Sequence, residues 1–384
     1  MIIADLVNDP SVWQDVPPSI KYRAAIRQGA QIIRNGGLVG FPTETVYGLG
    51  ADATSADAVS RIYQAKGRPR EDPLIVHLAS VDELAHVSDG EPHIMSTALE
   101  LASMYWPGAL TMILPRKVGA VASEVAAGRS TVAVRMPDHP VALALIKAAE
   151  VPIAAPSANR FGHISPTTGE HVISDLGDTI DMLIDAGHTR IGVESTVIDL
   201  TADTPTVLRP GGIAIEELRH ICPSLTYIPR KVDDSPASPG SYLRHYSPRT
   251  PLVIVNGIEA GNRRVTGEEA STPTVELISE LAGFLSARGI SSTVIATSPE
   301  QAGSLEYLAS NLYDYLHAAD TGRGGIILAG FVPGKGIGTA INDRLFRAAA
   351  GRVVHDASPA TIDFIASLVS SDNDPSQPGF PESH

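Results

Sequence analysis

The chain has 384 residues, 43% of them hydrophobic and 19% charged, with a formal net charge of −14. That length suggests about two or three domains with enough chain for a sizeable core, and the composition is that of an ordinary soluble globular protein. A single cysteine, Cys222, excludes an internal disulfide and any cysteine metal cluster. No apolar run approaches the roughly 18 residues needed to span a bilayer. The N-terminal MIIADLVNDPSVWQD lacks the basic-then-apolar pattern of a secretory signal, so a cytoplasmic enzyme is expected. Residues 1–220 hold 17 Lys and Arg against 26 Asp and Glu, and residues 221–384 hold 12 against 17. Neither part is basic, which argues against tight nonspecific nucleic-acid binding, because phosphate neutralisation supplies most of that affinity.

Taken in order, Ser19 is placed to cap a helix running to about Asn35, with Ile26, Ala30 and Ile33 on one face and Gly36-Gly37 as its stop. LVGF (38–41) reads as a buried strand leading into PTETVYGLGA, a stretch dense in donors from Thr43, Thr45, Tyr47, Gly48 and Gly50. Ser55 then starts a helix carrying Val59, Ile62 and Tyr63, which delivers the chain to KGRPREDPLIVH (66–77). Here Lys66, Arg68 and Arg70 fall within five residues, braced by Pro69 and Pro73, before the apolar PLIVH of a short strand. Fixed cations entering a core strand suit phosphate or carboxylate oxygens; a solvated loop with surface cations is the plainer alternative.

Ser80 and Glu83 form a capping-box pattern, and a helix is expected over roughly 92–105. WPGALTMIL (106–114) reads as turn and strand. STVAVRMPDHP (130–140) alternates so that Thr131, Ala133 and Arg135 share one face. Arg135 needs an anionic partner if buried, either a ligand or a structural carboxylate. VPIAAPSANRFGHISPTTGEH (151–171) repeats the strand-then-hydroxyl design with Ser157, Asn159 and Ser165, and Thr167 with Glu170 forms another capping box. DMLIDAG, GVESTVIDLT and PTVLRPGGI add three strand-and-loop units that carry Ser195 and Arg209 at or near strand ends.

Residues 221–250 lose periodicity and read as a linker, yet SPGSYLRHYSP within it clusters Arg244, His245 and Tyr246 in a way that suggests a docking segment. From Pro251 to about 366 a βαβαβα alternation predicts a small three-layer, Rossmann-like parallel α/β domain, and 367–384 has the composition of a disordered tail. GKGIG (334–338) lacks Walker spacing, and no strand is followed by G-x-G-x-x-G with a trailing acid. Neither HExxH nor a Cys/His cluster occurs, and Gly192-Val-Glu-Ser195-Thr lacks the second glycine of a nucleophile elbow.

Taken together, FPTETVYGLG (41–50), KGRPREDPLIVH (66–77), WPGALT (106–111), TVAVRMP (131–137), PIAAPSAN (152–159), SPT (165–167), ESTVID (194–199) and LRPG (208–211) resemble the YrdC family. The linker motif and second α/β domain are similar to the longer, two-domain form of that family, over about residues 20–350. Ala109 stands where the family usually has proline, and Ser241-Tyr242-Leu243 replaces a more usual Met-Lys-Tyr. The resemblance implies a YrdC-like twisted mixed sheet with a central cavity in residues 1–220. It implies that L-threonine, bicarbonate and ATP give threonylcarbamoyl-adenylate and pyrophosphate, with a separate complex transferring the group to a tRNA adenosine beside the anticodon.

By resemblance, Lys66, Arg70, Thr131, Ser157, Asn159, Ser165 and Arg209 line the ATP site, joined by His245 and Tyr246 of a lid. Thr43, Arg68, His77, Arg135 and Ser195 hold L-threonine, with Lys66 and Arg68 expected to act at the reacting centre. Mg2+ is expected on the ATP phosphates rather than in a protein cage. Carbamoyl transfer from carbamoyl phosphate is a rival activity, disfavoured by the lack of cysteine pairs for the zinc fingers of such enzymes. An RNA-binding module is a second rival, disfavoured by the acidic balance.

Overall fold

The computed structural model describes residues 1–13, 16–227, 246–257, 272–295, 304–322 and 324–371. The chain divides into two compact units, Met1–Phe161 with Ser165–Tyr242, and Gly162–Ile164 with Leu243–His384, so the main division falls inside the 221–250 segment.

In the first unit the strands are β1 (Ile2–Asp5), β2 (Val39–Phe41), β3 (Gly48–Asp52), β4 (Ile75–His77), β5 (Leu110–Pro115), β6 (Thr131–Arg135), β7 (Ile153–Ala154), β8 (Met182–Asp185), β9 (Thr196–Asp199), β10 (Thr206–Arg209) and β11 (Thr226–Tyr227). They form one sheet in the order β1-β8-β2-β3-β7-β4-β6-β5-β9-β10-β11. The expected mixed sheet is what the chain builds: β4 runs parallel to β6, while β5 pairs antiparallel with β6 and parallel with β9.

Strand alternation divides the core. Met182 and Ile184 pack into a cluster with Ile26, Ile33 and Leu145, whereas Leu183 between them joins a second cluster with Ile62, Leu101 and Val134. Successive side chains of a strand point to opposite faces, so both faces of this sheet are covered. The helix Ile20–Arg34 supplies one cover. Ser19 Oγ accepts from Tyr22 N at 2.9 Å, satisfying one of the donors a helix start leaves open. Tyr22, Ala25, Ile26, Ala30 and Ile33 recur at helical spacing on its buried face.

In the second unit β12 (Leu252–Val255), β13 (Ser291–Val294), β14 (Gly325–Gly330) and β15 (Val353–Val354) form a fully parallel sheet in the order β13-β14-β12-β15. Val253, Val255, Ile326 and Leu328 pack with Leu281, Leu285, Ile362 and Ile365 from the helices Thr272–Ala287 and Pro359–Ser371.

Two local expectations need correction, and one strand went unread. The helix Gly169–Leu176 is capped by Thr168, whose hydroxyl accepts from His171 N, and not by Thr167. Thr167 is instead fully buried beside His171 Nδ1 at 3.2 Å, its pattern with Glu170 being one residue out of phase with the true cap. The boundary at 367 cuts through the helix Pro359–Ser371, where Leu368 and Val369 carry the apolar face of Ile362 and Ile365 past that point. Strand β1 carried no alternation that marked it, because its side chains are largely exposed.

Leu183→Ala is expected to destabilise the fold by about 2–5 kcal/mol in urea unfolding, and Leu99→Ala, at a side chain 48% exposed, by less than about 0.5 kcal/mol.

Candidate active site

The helix Ala56–Lys66 ends at Gly67, which adopts φ +61, and Arg68 N closes the turn on Tyr63 O at 3.0 Å. That stop turns the last helical side chain, Lys66, toward the loop after β7. Lys66 Nζ donates to Ser157 O at 2.6 Å and also to Asn159 O, and Ser157 Oγ donates to Asn159 Oδ1 at 2.5 Å. Lys66, Ser157 and Asn159, expected together at the nucleotide, are together. Burial, and then the neighbouring Arg68, push the Lys66 ammonium well below its ordinary pKa. An incoming phosphate would favour the charged form.

Arg68 has a different job from the one expected. Its guanidinium donates to Asp72 O (3.1 Å) and Pro73 O (2.9 Å), and it lies 2.8 Å from the Asp72 carboxylate, which is fully buried. It braces the turn between the two prolines, and the geometry gives no support to its contacting threonine. Burial raises the Asp72 carboxyl, with Arg68 opposing that shift. Arg70 is exposed and borders a cavity of about 180 Å3 with Tyr63, Ser123, Glu124, Ala127 and Gly128, a cavity that Lys66 and Arg209 do not line.

The remaining expected residues converge on the middle of the sheet. His77, Arg135 and Thr111 are successive register partners across β4, β6 and β5. Arg135 is 4% exposed. Its Nη2 donates to Glu44 Oε1 at 2.6 Å, Nη1 to Thr45 Oγ1 at 3.0 Å and Nε to Gly108 O at 3.2 Å. Of the two partners left open by the sequence, the structure supplies the carboxylate. Thr43 Oγ1 lies 2.9 Å from Thr45 Oγ1 and donates to Val46 O at 2.7 Å, so Thr43 belongs to the same network.

On the other side of Arg135, Thr111 Oγ1 is 2.7 Å from Ser195 Oγ. Arg209 donates to Ser195 O from Nε (3.2 Å) and Nη2 (3.0 Å), and to Ser195 Oγ at 3.1 Å. Gly211 makes this possible, because a Cβ there would stand 2.3 Å from Glu194 O and Ser195 C. Ser165 Oγ donates to Glu194 Oε1 at 2.6 Å, one residue from Ser195. Thr131 opens the strand that ends in Arg135, on the same face.

Four residues of this network, Glu44, Thr111, Glu194 and Asp72, were not singled out as site residues. All four stood inside quoted motifs, where a signal was available: an acid between two threonines, a threonine opposite the arginine, an acid beside the serine, and an acid four residues after Arg68.

Two linker residues, His245 and Tyr246, were expected at the nucleotide. His245 lies outside the described residues. Tyr246 belongs to the second unit, where it is buried with its ring stacked 5.7 Å from that of Tyr313 and Arg344 held 5.0 Å from its centroid.

Among the described residues no group of three His, Cys, Asp or Glu is arranged to hold a metal ion, and no helix is long and apolar enough to cross a membrane. The mixed α/β sheet gathers buried cations, hydroxyls and carboxylates at its centre, the chemistry that suits an anionic small molecule. The family described as telomere recombination, comprising Sua5, YciO and YrdC proteins, matches residues 31–211, and the threonylcarbamoyl-AMP synthase C-terminal domain matches residues 213–350. The chain is 43% identical to a threonylcarbamoyl-AMP synthase of Bacillus subtilis, covering 86% of this chain and 94% of that relative. It is 42% identical to a threonylcarbamoyl-AMP synthase of Pyrococcus abyssi, covering 86% and 95%. The crystal structure of P. abyssi Sua5 complexed with L-threonine matches with a TM-score of 0.80 at 39% identity, over 93% of this chain and all of that one. The chain belongs to the two-domain YrdC family.

His77 gives a pH-dependence. Burial, and then the charge of Arg135, lower its pKa to about 3, so the folded protein keeps the imidazole neutral. Below the unfolded value of about 6.5 the unfolded chain binds a proton that the folded chain refuses until about pH 3. The stability contributed by neutral His77 is therefore complete above pH 6.5 and is lost as the pH falls through that window. His139, also lowered to about 3, acts in the same direction. Melting temperature should fall between pH 7 and pH 4, and His77→Gln should flatten part of that slope.

Proposed function

We infer that the chain is a threonylcarbamoyl-AMP synthase, converting L-threonine, bicarbonate and ATP into L-threonylcarbamoyladenylate, pyrophosphate and water. The observation that carries the reading is a pair of buried networks, Thr43–Thr45–Arg135 and Thr111–Ser195–Arg209, set side by side by the Thr111–Arg135 strand register, on a chain so similar to threonylcarbamoyl-AMP synthases. In this reaction the threonine amine takes up CO2, and an oxygen of the resulting carbamate attacks the α-phosphorus as pyrophosphate leaves. The nucleophile belongs to the substrate. The protein is left to orient its ligands and to stabilise charge at the phosphoryl centre.

Arg135, Thr43, His77 and Ser195 are assigned to threonine, the guanidinium facing its carboxylate. Lys66, Ser157, Asn159, Ser165, Thr131 and Arg209 are assigned to the nucleotide, with Arg70 reaching phosphate from the rim. Mg2+ is assigned to the triphosphate as part of the substrate, a placement that suits a site whose described cations already offset phosphate charge. The adenylate is passed to a separate transferase that modifies tRNA, which fits a chain of net charge −14.

Pyrophosphate release from ATP by the full chain tests this. Release should require both threonine and bicarbonate; release with neither present, or none under any condition, overturns the assignment. Lys66→Ala should slow release by at least about tenfold, the factor for one lost interaction of about 1.4 kcal/mol. Arg68→Ala, by contrast, should act first on stability, lowering the melting temperature because it strands the buried Asp72 carboxylate.

A further inference from the structure

Glu44 occupies the centre of the site with one oxygen accounted for. Its side chain is 1% exposed, and Oε1 accepts from Arg135 Nη2 at 2.6 Å. Oε2 is buried and meets no hydrogen-bond donor among the described residues. A buried carboxylate oxygen without a donor costs stability, and such groups in a native fold call for an explanation.

Looseness of the loop does not provide one. Ile191 N donates to Glu44 O at 2.8 Å and Gly192 N to Thr45 O at 3.1 Å, while Thr43 Oγ1 accepts from Thr45 N (3.2 Å) and Val46 N (3.3 Å). The backbone is fixed on both sides of Glu44, and the Arg135 contact fixes its tip. Of the charged and titratable groups around it, Arg135 is already paired through Oε1, and His77, the register partner of Arg135, is neutral and bonds Ile75 O at 3.2 Å.

The pair presents a carboxylate oxygen next to a guanidinium. An α-amino acid carries the reverse arrangement, an amine and a carboxylate on one carbon. We propose that Glu44 Oε2 receives the amine of L-threonine while Arg135 takes its carboxylate, the two side chains reading the amino-acid head group as a unit. This rests on the function proposed above and adds a binding residue to it. The N–H that survives carboxylation of the amine keeps the same acceptor, so the carbamate is held by its nitrogen while its oxygens are free to turn toward the α-phosphorus.

Titration calorimetry on the full chain without ATP tests the assignment, using L-threonine and (2S,3R)-2,3-dihydroxybutanoate, which replaces the amine with a hydroxyl. Glu44→Gln keeps an oxygen for Arg135 and replaces Oε2 by an N–H donor. The variant should bind threonine at least about tenfold more weakly, the equivalent of about 1.4 kcal/mol. Its affinity for the hydroxy acid should stay within about twofold, and its KM for ATP should not change. Unchanged threonine binding, or equal loss of both ligands, overturns the role of Glu44 while leaving the proposed function standing. A wild-type chain that binds no threonine overturns both. If Glu44→Gln does not fold, a crystal structure of the wild-type chain with threonine decides: an amine nitrogen within about 3.2 Å of Oε2 supports the assignment, and one beyond about 4 Å overturns it.

Discussion

A guanidinium buried in the middle of a β-sheet constrains everything around it. Arg135 lies at the end of β6, between β4 and β5, and it stays there only because Glu44, Thr45 and Gly108 bring oxygens to it. Removing one partner of such a pair leaves an uncompensated buried charge, a loss of about 3–5 kcal/mol, so the loop after β2 and the turn before β5 must close on the same point. The first unit repeats the solution with Lys66, Arg68 and Arg209, each no more than 7% exposed. Many of the oxygens that meet them are main-chain carbonyls, those of Ser157, Asn159, Asp72, Pro73, Gly108 and Ser195. Carbonyls fixed by the fold hold the cations in place before any ligand arrives, which is the condition for electrostatic stabilisation at a reacting centre. An acidic protein can in this way present local positive charge without a basic surface.

The second unit uses the same device for a different end. Asp343 is pushed up by burial, yet Arg347 and Arg344 outweigh that and hold its carboxyl below the usual range. Arg344, itself fully buried, lies 2.5 Å from that carboxylate and also faces the Tyr246 ring. Here a buried arginine anchors a segment of its own chain.

The parts of this architecture that were legible in the sequence are those governed by local rules. Ser19 and Ser55 cap the helices they were expected to cap, because a hydroxyl before an apolar-periodic run has a short-range partner in the backbone. The period-2 pattern of 131–135 placed Thr131 and Arg135 on one face. Thr167 misled because Thr168 beside it is as good a cap, and only the packing of His171 distinguishes them. Glu44, Thr111 and Glu194 were passed over for a related reason: each acquires its role from a partner about 30 to 90 residues away, Ser165, Ser195 or Arg135. Arg68 was assigned to threonine by resemblance, and its place among three cations in five residues was compatible with an anionic ligand, whereas the buried Asp72 just downstream supplies a carboxylate within the turn itself.

Those separations govern how the site comes into being. Glu44 and Arg135 are 91 residues apart, and Thr111 and Ser195 are 84 apart. The Arg209 guanidinium that completes the network arrives on the penultimate strand of the sheet. Contacts of such span form late, because a large loss of chain entropy precedes any gain from them. A nascent chain emerging from the ribosome therefore carries Glu44 without its partner until Arg135 has been synthesised, and Thr111 without its partner until Ser195 has. Until its partner is made, the Glu44 carboxylate is best left in water, because burying it unpaired would be costly.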